Sequence, residues 1–305
     1  MNFIYKCYLQ KLFSILPNGE VHNYYFQKYI TKKIPVGDRI FLARFKLAQY
    51  HFEKFAQYAD PQTNEWSYYE FGSGWDLINP IGLSLLGMKK LYCIDIKDLI
   101  FPDILADTIK RLYMLKDKMP FNCSLPQSRE LHSKSNCREA LKDFFNIHYK
   151  APINARETGL ADSSIDFIGS NNTFEHIPIS DILPILLECH RILKVNGIFS
   201  MAIDYGDHWS HFDSNISRYN FLKFSPRQWE KYNPSLHFQN RLRHKDYLAL
   251  MAKANFRIVE ETAAIPVERE FDSLKKMKIN DYFTDNYSYE ELAVKGSKIV
   301  LQKEA

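Results

Sequence analysis

Hydrophobic positions along the chain follow two periods, and the change falls near residue 66. Before it, residues 1–65 read as mostly helical. Over Arg39–Tyr58, Phe41, Phe45, Leu47, Phe52 and Phe55 roughly keep one helical face. Pro61-Gln62-Thr63-Asn64 then breaks the pattern. After it, short apolar runs alternate with helical segments. Trp66–Phe71 reads as a strand ending in a glycine turn, Leu77–Leu86 as a helix and Leu91–Ile96 as a second buried strand. His148–Ile153 and Ser164–Ser170 read as the third and fourth strands. An amphipathic helix over Ile182–Lys194 should stop at Asn196-Gly197, as at a C-cap. Ile198–Ile203 supplies a fifth strand, His244–Lys253 a helix, and Phe256–Ala263 and Lys298–Gln302 two late strands. Strands alternating with helices predict an α/β fold with a doubly wound, mostly parallel seven-stranded sheet covered on both faces.

Two stretches interrupt this rhythm. Residues 101–146 are polar, helix-forming and punctuated by Pro120, Pro126 and Asn136; residues 204–243 are rich in aromatic residues, His and Asp. The expected organisation is a helical N-terminal extension over 1–65 and one domain over 66–305, with insertions at about 101–146 and 205–243. The chain shows no internal repeat and no low-complexity tract. Its 305 residues, 46% hydrophobic and 25% charged, exclude a disordered, collagen-like or disulfide-stapled chain. The 15% of aromatic residues calls for a large core or an aromatic-lined binding surface.

Charge and cysteines narrow the setting. Lys+Arg number 40 against 36 Asp+Glu, and the basic pairs Lys32-Lys33, Lys89-Lys90 and Lys275-Lys276 each sit near acids. These read as solvated surface, so no nucleic-acid partner is expected. The five cysteines form no CxxC pair; Cys93 and Cys189 lie in apolar runs, as buried thiols do. With no secretory pattern at the N-terminus, a reducing cytoplasm is expected. No apolar run approaches about 20 residues, and Leu77–Met88 is short and contains Pro80, so no spanning helix and no stable membrane insertion is predicted. Lys6–Leu16 is amphipathic, and packing on its own chain is favoured over lying on a membrane. Oligomeric state is not readable.

The sharpest local signal is Glu70-Phe71-Gly72-Ser73-Gly74-Trp75-Asp76, where a strand turns into a helix. Glycines there let backbone approach a ligand. Asp95 follows 21 positions after Gly74, at the end of the next strand, the spacing of a ribose-binding carboxylate. The third glycine of a dinucleotide fingerprint is missing, since Leu77 stands there. A tight turn with no ligand is the competing reading of this motif alone.

Two further segments bear on it. Asp162–Ile177 contains Ile165-Asp166-Phe167 and then Ser170-Asn171-Asn172-Thr173-Phe174-Glu175-His176; Leu187–Gly197 ends in Leu193-Lys194-Val195-Asn196-Gly197. In this order the motifs resemble the class I S-adenosylmethionine-dependent methyltransferases, particularly their small-molecule group, over about residues 66–204 and the late strands. The resemblance implies a Rossmann-like fold closed by an antiparallel strand pair, with S-adenosylmethionine as cofactor. It implies that Glu70, Gly72, Ser73 and Gly74 line the methionine end and that Asp95 accepts from the ribose hydroxyls. Ile96 would pack on the adenine, and Asn154-Ala155 would sit at its amino group, where Asn can still accept through its carbonyl oxygen. Asn171 would lie near the transferred methyl. Asp76 stands where the family usually has a third glycine.

The acceptor side is read from Asp204–Asp213, just after strand five, because ligands of open α/β sheets lie beyond the carboxyl ends of the strands. His208 and His211 are candidate bases for an acceptor hydroxyl, with Asp204 or Asp207 as orienters; a hydrogen-bonded loop cap is the alternative for each histidine. His208, His211 and Asp213 are also a candidate metal set, but they lack the spacing of a helical site, and no metal is predicted. Glu175-His176 is expected to anchor the following helix. Trp209, Tyr219, Phe221, Phe224, Trp229, Tyr232 and Phe238 either stack on a sugar-like ligand or pack the insertion on the core, the latter for most of them. The expected activity is methyl transfer to a small-molecule or glycan-linked acceptor, at a hydroxyl oxygen. The rivals are a nicotinamide-dependent oxidoreductase and a cofactor-binding protein without catalysis.

Overall fold

The computed structural model describes residues 2–58, 65–115 and 131–304. The break at Pro61–Asn64, together with Pro120, Cys123 and Pro126, lies outside the described residues. Seven strands form one sheet: β1 (Ser67–Phe71), β2 (Lys90–Ile94), β3 (Ile147–Lys150), β4 (Ile165–Asn171), β5 (Leu193–Asp204), β6 (Phe256–Ala263) and β7 (Gly296–Lys303). They lie in the order β3-β2-β1-β4-β5-β7-β6. The first five run parallel; β7 is antiparallel to both β5 and β6. The fold is therefore α/β, Rossmann-like and mostly parallel, and the two late strands are its antiparallel pair.

Every residue of β1 is buried, as a central strand covered on both faces requires. Tyr68 shares one face with Leu91, Cys93, Phe167 and Ile198, and this face packs under α3 (Asp38–Tyr58), α4 (Ile78–Leu86) and α6 (Lys134–Phe145). Tyr69 and Phe71 point the other way, with Ile168, Phe199 and Met201, against α7 (Ile179–Ile192) and α9 (His244–Lys253). The stripe on α3 is shifted in part: Phe41, Phe45 and Phe55 are buried at helical spacing together with Ala48 and His51, while Leu47 and Phe52 are only half-buried. Phe55 stacks on Phe167, ring centroids 5.0 Å apart. Gly82 lets α4 come close, since a Cβ there would lie 3.2 Å from both Ala48 Cβ and the Phe45 ring.

Of the other N-terminal helices, α2 (Gly19–Tyr25) packs through Tyr24 on Ile34, Phe101 and Ile104, and α1 (Phe3–Ile15) serves a different core. Phe3 and Cys7 of α1 join Trp209, Tyr219, Phe221, Leu222 and Trp229 with Leu274, Phe283 and Leu292. Most aromatics of the second insertion are thus spent on packing; none of Trp209, Tyr219, Phe221 or Trp229 exceeds 4% exposure. They form no stacking surface for a sugar. Arg243, fully buried, ties this core together by donating to the carbonyls of Tyr205 (2.8 Å), Leu292 (2.9 Å) and Val294 (2.7 Å).

The first insertion contains α5 (Pro102–Leu115) and α6; Asn136 lies in the first turn of α6 rather than at a break, its N–H capped by the Ser133 hydroxyl. The predicted C-cap at Asn196-Gly197 is corrected: α7 ends at Ile192, and β5 has begun at Leu193. Between the pairs Ile165↔Leu193 and Phe167↔Ile198, β4 uses only Asp166 while β5 uses Lys194 through Gly197. Asn196 takes a left-handed conformation (φ 63°) in that bulge, which its short polar side chain tolerates. Cys7, Cys93, Cys137 and Cys189 are buried free thiols. Among the described residues no helix is long and apolar enough to cross a membrane.

Candidate active site

Gly72 and Gly74 end β1 with positive φ (67° and 71°), where side-chain-bearing residues are strained. A Cβ on Gly72 would also lie 2.4 Å from the Thr173 methyl. Asp76 replaces the third glycine with a different device: its carboxylate accepts from the Ile78 N–H (3.3 Å) at the start of α4 and pairs with Arg44 of α3. The turn therefore closes without that glycine.

Because β1, β2 and β4 are adjacent and parallel, their tips open on one side. Glu70, Gly72, Ser73, Gly74, Asp95, Ile96 and Asn171 line a single cavity of about 530 Å³, shared with Trp75, Asp204, His208 and His211. A narrow continuation of about 130 Å³ adds Asn154 and Ala155, with Ile177 and Ile185 opposite. All twelve sequence-selected residues thus face these two connected spaces.

At the tips of β1 and β2, Asp95, 5% exposed, faces the cavity and accepts from the N–H groups of Lys97 (3.1 Å) and, at a long 3.4 Å, Gly74; burial raises its pKa. Ile96, 65% exposed, offers an apolar wall. Glu70 is buried at 2% exposure; burial pushes it up to about 7, against the favourable bonds from Asn79 Nδ2 and the Tyr68 hydroxyl, each 2.8 Å. Asn154 departs from expectation. Its Oδ1 already accepts from Arg156 N (3.0 Å) and Nε (3.3 Å), so an adenine amino group would compete for that oxygen.

One residue here was not selected from the sequence. His51 of α3 donates from Nε2 to Asn171 Oδ1 (2.6 Å) and accepts at Nδ1 from the Ser200 hydroxyl (2.7 Å). Burial holds it neutral, with its pKa down at about 4, so the tautomer is fixed and Asn171 is held at the tip of β4. The available signal was a histidine on the buried face of α3, between Ala48 and Phe55.

At the acceptor end four histidines gather. His208 lies 4.8 Å from His176, 5.2 Å from His211 and 6.3 Å from His237, centroid to centroid. Burial pulls His176 (to about 4), His211 and His237 below the usual histidine value. His208 alone among these moves up: burial opposes its charge, but Asp204, Glu175 and Asp207 outweigh it. Its Nε2 is 3.7 Å from Asp204 Oδ2, an ion-pair separation, and makes no hydrogen bond among the described residues. Asp204 is itself held by the Gly206 N–H (2.8 Å) and Arg218 (2.9 Å); burial raises its pKa, but His208 and these donors bring it down to about 2.

Of the two proposed orienters, then, Asp204 is the one facing His208. Asp207 caps the turn below it, accepting from Trp209 N (2.9 Å) and Asn220 Nδ2 (3.0 Å). Asp213 accepts from Phe3 N (3.0 Å) and Asn215 N (3.0 Å), so the His208–His211–Asp213 metal set does not form. A different set does converge: one ligand atom from each of Glu175, His176 and His208, all within 4.8 Å of one another. Glu175-His176 does more than anchor a helix, for His176 lines the acceptor cavity.

Residues 130–201 match the family model described as a methyltransferase domain. No curated protein matches the chain. Among solved structures, an S-adenosylmethionine-dependent methyltransferase from Methanosarcina mazei is 16% identical, covering 82% of this chain and 97% of that one, with a TM-score of 0.43. A geranyl diphosphate methyltransferase solved with its S-adenosylmethionine is 10% identical, covering 89% and 93%, TM-score 0.47. A phosphoethanolamine N-methyltransferase 2 from Haemonchus contortus is 12% identical, covering 85% and 53%, TM-score 0.48. Residues 130–201 thus resemble a methyltransferase domain, and the sheet order with the glycine turn beside Asp95 gives an α/β, Rossmann-like fold. The turn at Gly72, where a Cβ would meet the Thr173 methyl, and the cavity-facing carboxylate of Asp95 fit S-adenosylmethionine as the cofactor.

Proposed function

We propose that the chain transfers the methyl group to a hydroxyl oxygen of a small-molecule or glycan-linked acceptor, with His208 as general base. One observation carries this: His208 stands beside Asp204 where the donor cavity meets the acceptor space, and it alone of the four histidines is biased toward taking a proton. S-adenosylmethionine supplies an already activated methyl carbon, so the residues need only align the acceptor, exclude water and remove its proton. Asp95, Glu70 and the glycine turn hold the donor, with Ile96 and Ala155 at the adenine; Asn171, fixed by His51, faces the reacting end. The acceptor hydroxyl gives its proton to His208, and Asp204, locked by Arg218, stabilises the imidazolium. His211 stacks on His208 and keeps the ring in place.

The same reading assigns residues 66–305 to the catalytic domain and residues 1–65 to an extension whose α1 packs on the acceptor side. Buried free thiols favour a reducing cytoplasm.

The test is His208→Ala assayed with hydroxyl acceptors while S-adenosylhomocysteine binding is followed by calorimetry. Turnover should fall by about 10²–10⁴-fold with binding kept; full turnover rejects the base. A second reading is favoured by the Glu175–His176–His208 convergence. His176 Nδ1 donates to the Phe238 carbonyl (2.7 Å), which turns its Nε2 lone pair outward, and Glu175 Oε2 and His208 Nε2 make no hydrogen bond among the described residues. A divalent cation held there would activate the acceptor oxygen in place of a free base. Activity abolished by a chelator and restored by one metal supports it; activity indifferent to chelation excludes it.

A further inference from the structure

Past the donor cavity the acceptor side opens into a second space of about 650 Å³ whose lining carries more cationic than anionic side chains. Lys33, Arg39 and Arg44 lie around it with the four histidines, and its one described carboxylate, Asp76, is already paired with Arg44. Among the described residues no carboxylate pairs with Lys33 or Arg39. A further cation lies behind the lining residue Phe212, on whose ring Lys33 also sits at 6.0 Å from the centroid. Lys6 of α1 is 2% exposed, its Nζ has no hydrogen-bond partner among the described residues, and it sits 2.7 Å above the centroid of Phe212, which lines the cavity. Burying an ammonium against a ring alone is costly, because one aromatic face replaces little of its hydration. Burial first, and the neighbouring Lys33 second, lower its pKa to about 7. A chain with nearly balanced charge thus gathers cations around one cavity and leaves the most buried of them without a hydrogen-bond partner among the described residues.

We propose that the acceptor carries an anionic group, a phosphate or a carboxylate, which docks among Lys33, Arg39 and Lys6 while its hydroxyl lies at His208. This rests on the acceptor-site reading above and adds the substrate class. The guanidinium of Arg39 supplies a planar two-donor fork, and the two ammonium groups supply point charges, a combination suited to an oxyanion with several acceptor oxygens.

The experiment uses the full chain saturated with S-adenosylhomocysteine and titrated with inorganic pyrophosphate, inorganic phosphate or succinate, at low and at physiological ionic strength. The expected result is saturable binding of at least one anion. It should weaken at least tenfold in the surface double variant Lys33→Ala/Arg39→Ala and in Lys6→Met, with S-adenosylhomocysteine affinity kept within twofold. Tighter binding of the phosphates assigns a phosphoryl group, and tighter binding of succinate a carboxylate. No saturable binding in any arm, or binding indifferent to the exposed double variant, overturns the proposal. Failure to bind S-adenosylhomocysteine, seen before any anion is added, overturns the methyltransferase reading instead.

Discussion

The two ends of the active-site cavity are built on different principles. The donor end is made of strand tips: β1 with its glycine turn, Asp95 after β2, and Asn171 at the end of β4, brought together by adjacent parallel pairing. The acceptor end is made of loops and short helices drawn from 33–44, 176, 204–212 and 237, steadied by the core of α1 and residues 271–293. Backbone conformation decides the first, and side-chain packing and charge decide the second. Substitutions at one end should therefore leave the other intact, a separation that can be broken or sharpened by experiment.

The largest effect is expected from Arg243→Met. Three carbonyls lose their donor and a fully buried cation disappears, so stability should drop by about 3 kcal/mol in a urea melt. S-adenosylhomocysteine affinity, measured where the variant is folded, should stay near wild type. If affinity collapses with the acceptor scaffold still folded, the two ends are one unit.

Gly72→Ala should act in the opposite place. Positive φ and the Thr173 methyl oppose the new Cβ, so donor affinity should fall by roughly tenfold, about 1.4 kcal/mol, while the titration of His208 is unmoved. Histidine NMR signals check the second half.

The smallest effect concerns pH. A base must be unprotonated, and the His208 pKa lies above the ordinary value of about 6.5, so turnover should rise with pH through a midpoint above that value. Glu175→Gln removes one carboxylate that raises it, and the midpoint should move down by less than about one unit. A midpoint that stays put removes Glu175 from the electrostatics of the site.

The contrast also explains what was legible in the sequence. Gly72, Gly74 and Asp95 are visible because a strand-end turn needs glycine, and a ribose needs a carboxylate one βα unit later; both constraints are local in the chain. His208 and Asp204 were visible through their place after strand five. His51 was not, because its partner Asn171 is 120 positions away and a histidine within an apolar stripe looks like core. Lys6 looks like a solvated charge until α1 and the insertion around Trp209 are packed together. The end of α7 was misplaced for a related reason: Asn-Gly serves a C-cap or a bulge equally well, and pairing with β4 selects the bulge. The 15% of aromatics, in turn, is largely accounted for by four packed clusters among the described residues rather than a binding surface.

The most direct test of the central claim is calorimetric titration of the purified chain with S-adenosylhomocysteine, with NADH as the control and Asp95→Ala as the site marker. Saturable heat is predicted with S-adenosylhomocysteine only, weakened by about tenfold in the variant through loss of the ribose acceptor. No heat with S-adenosylhomocysteine at high micromolar concentration, or binding of NADH in its place, would contradict the account.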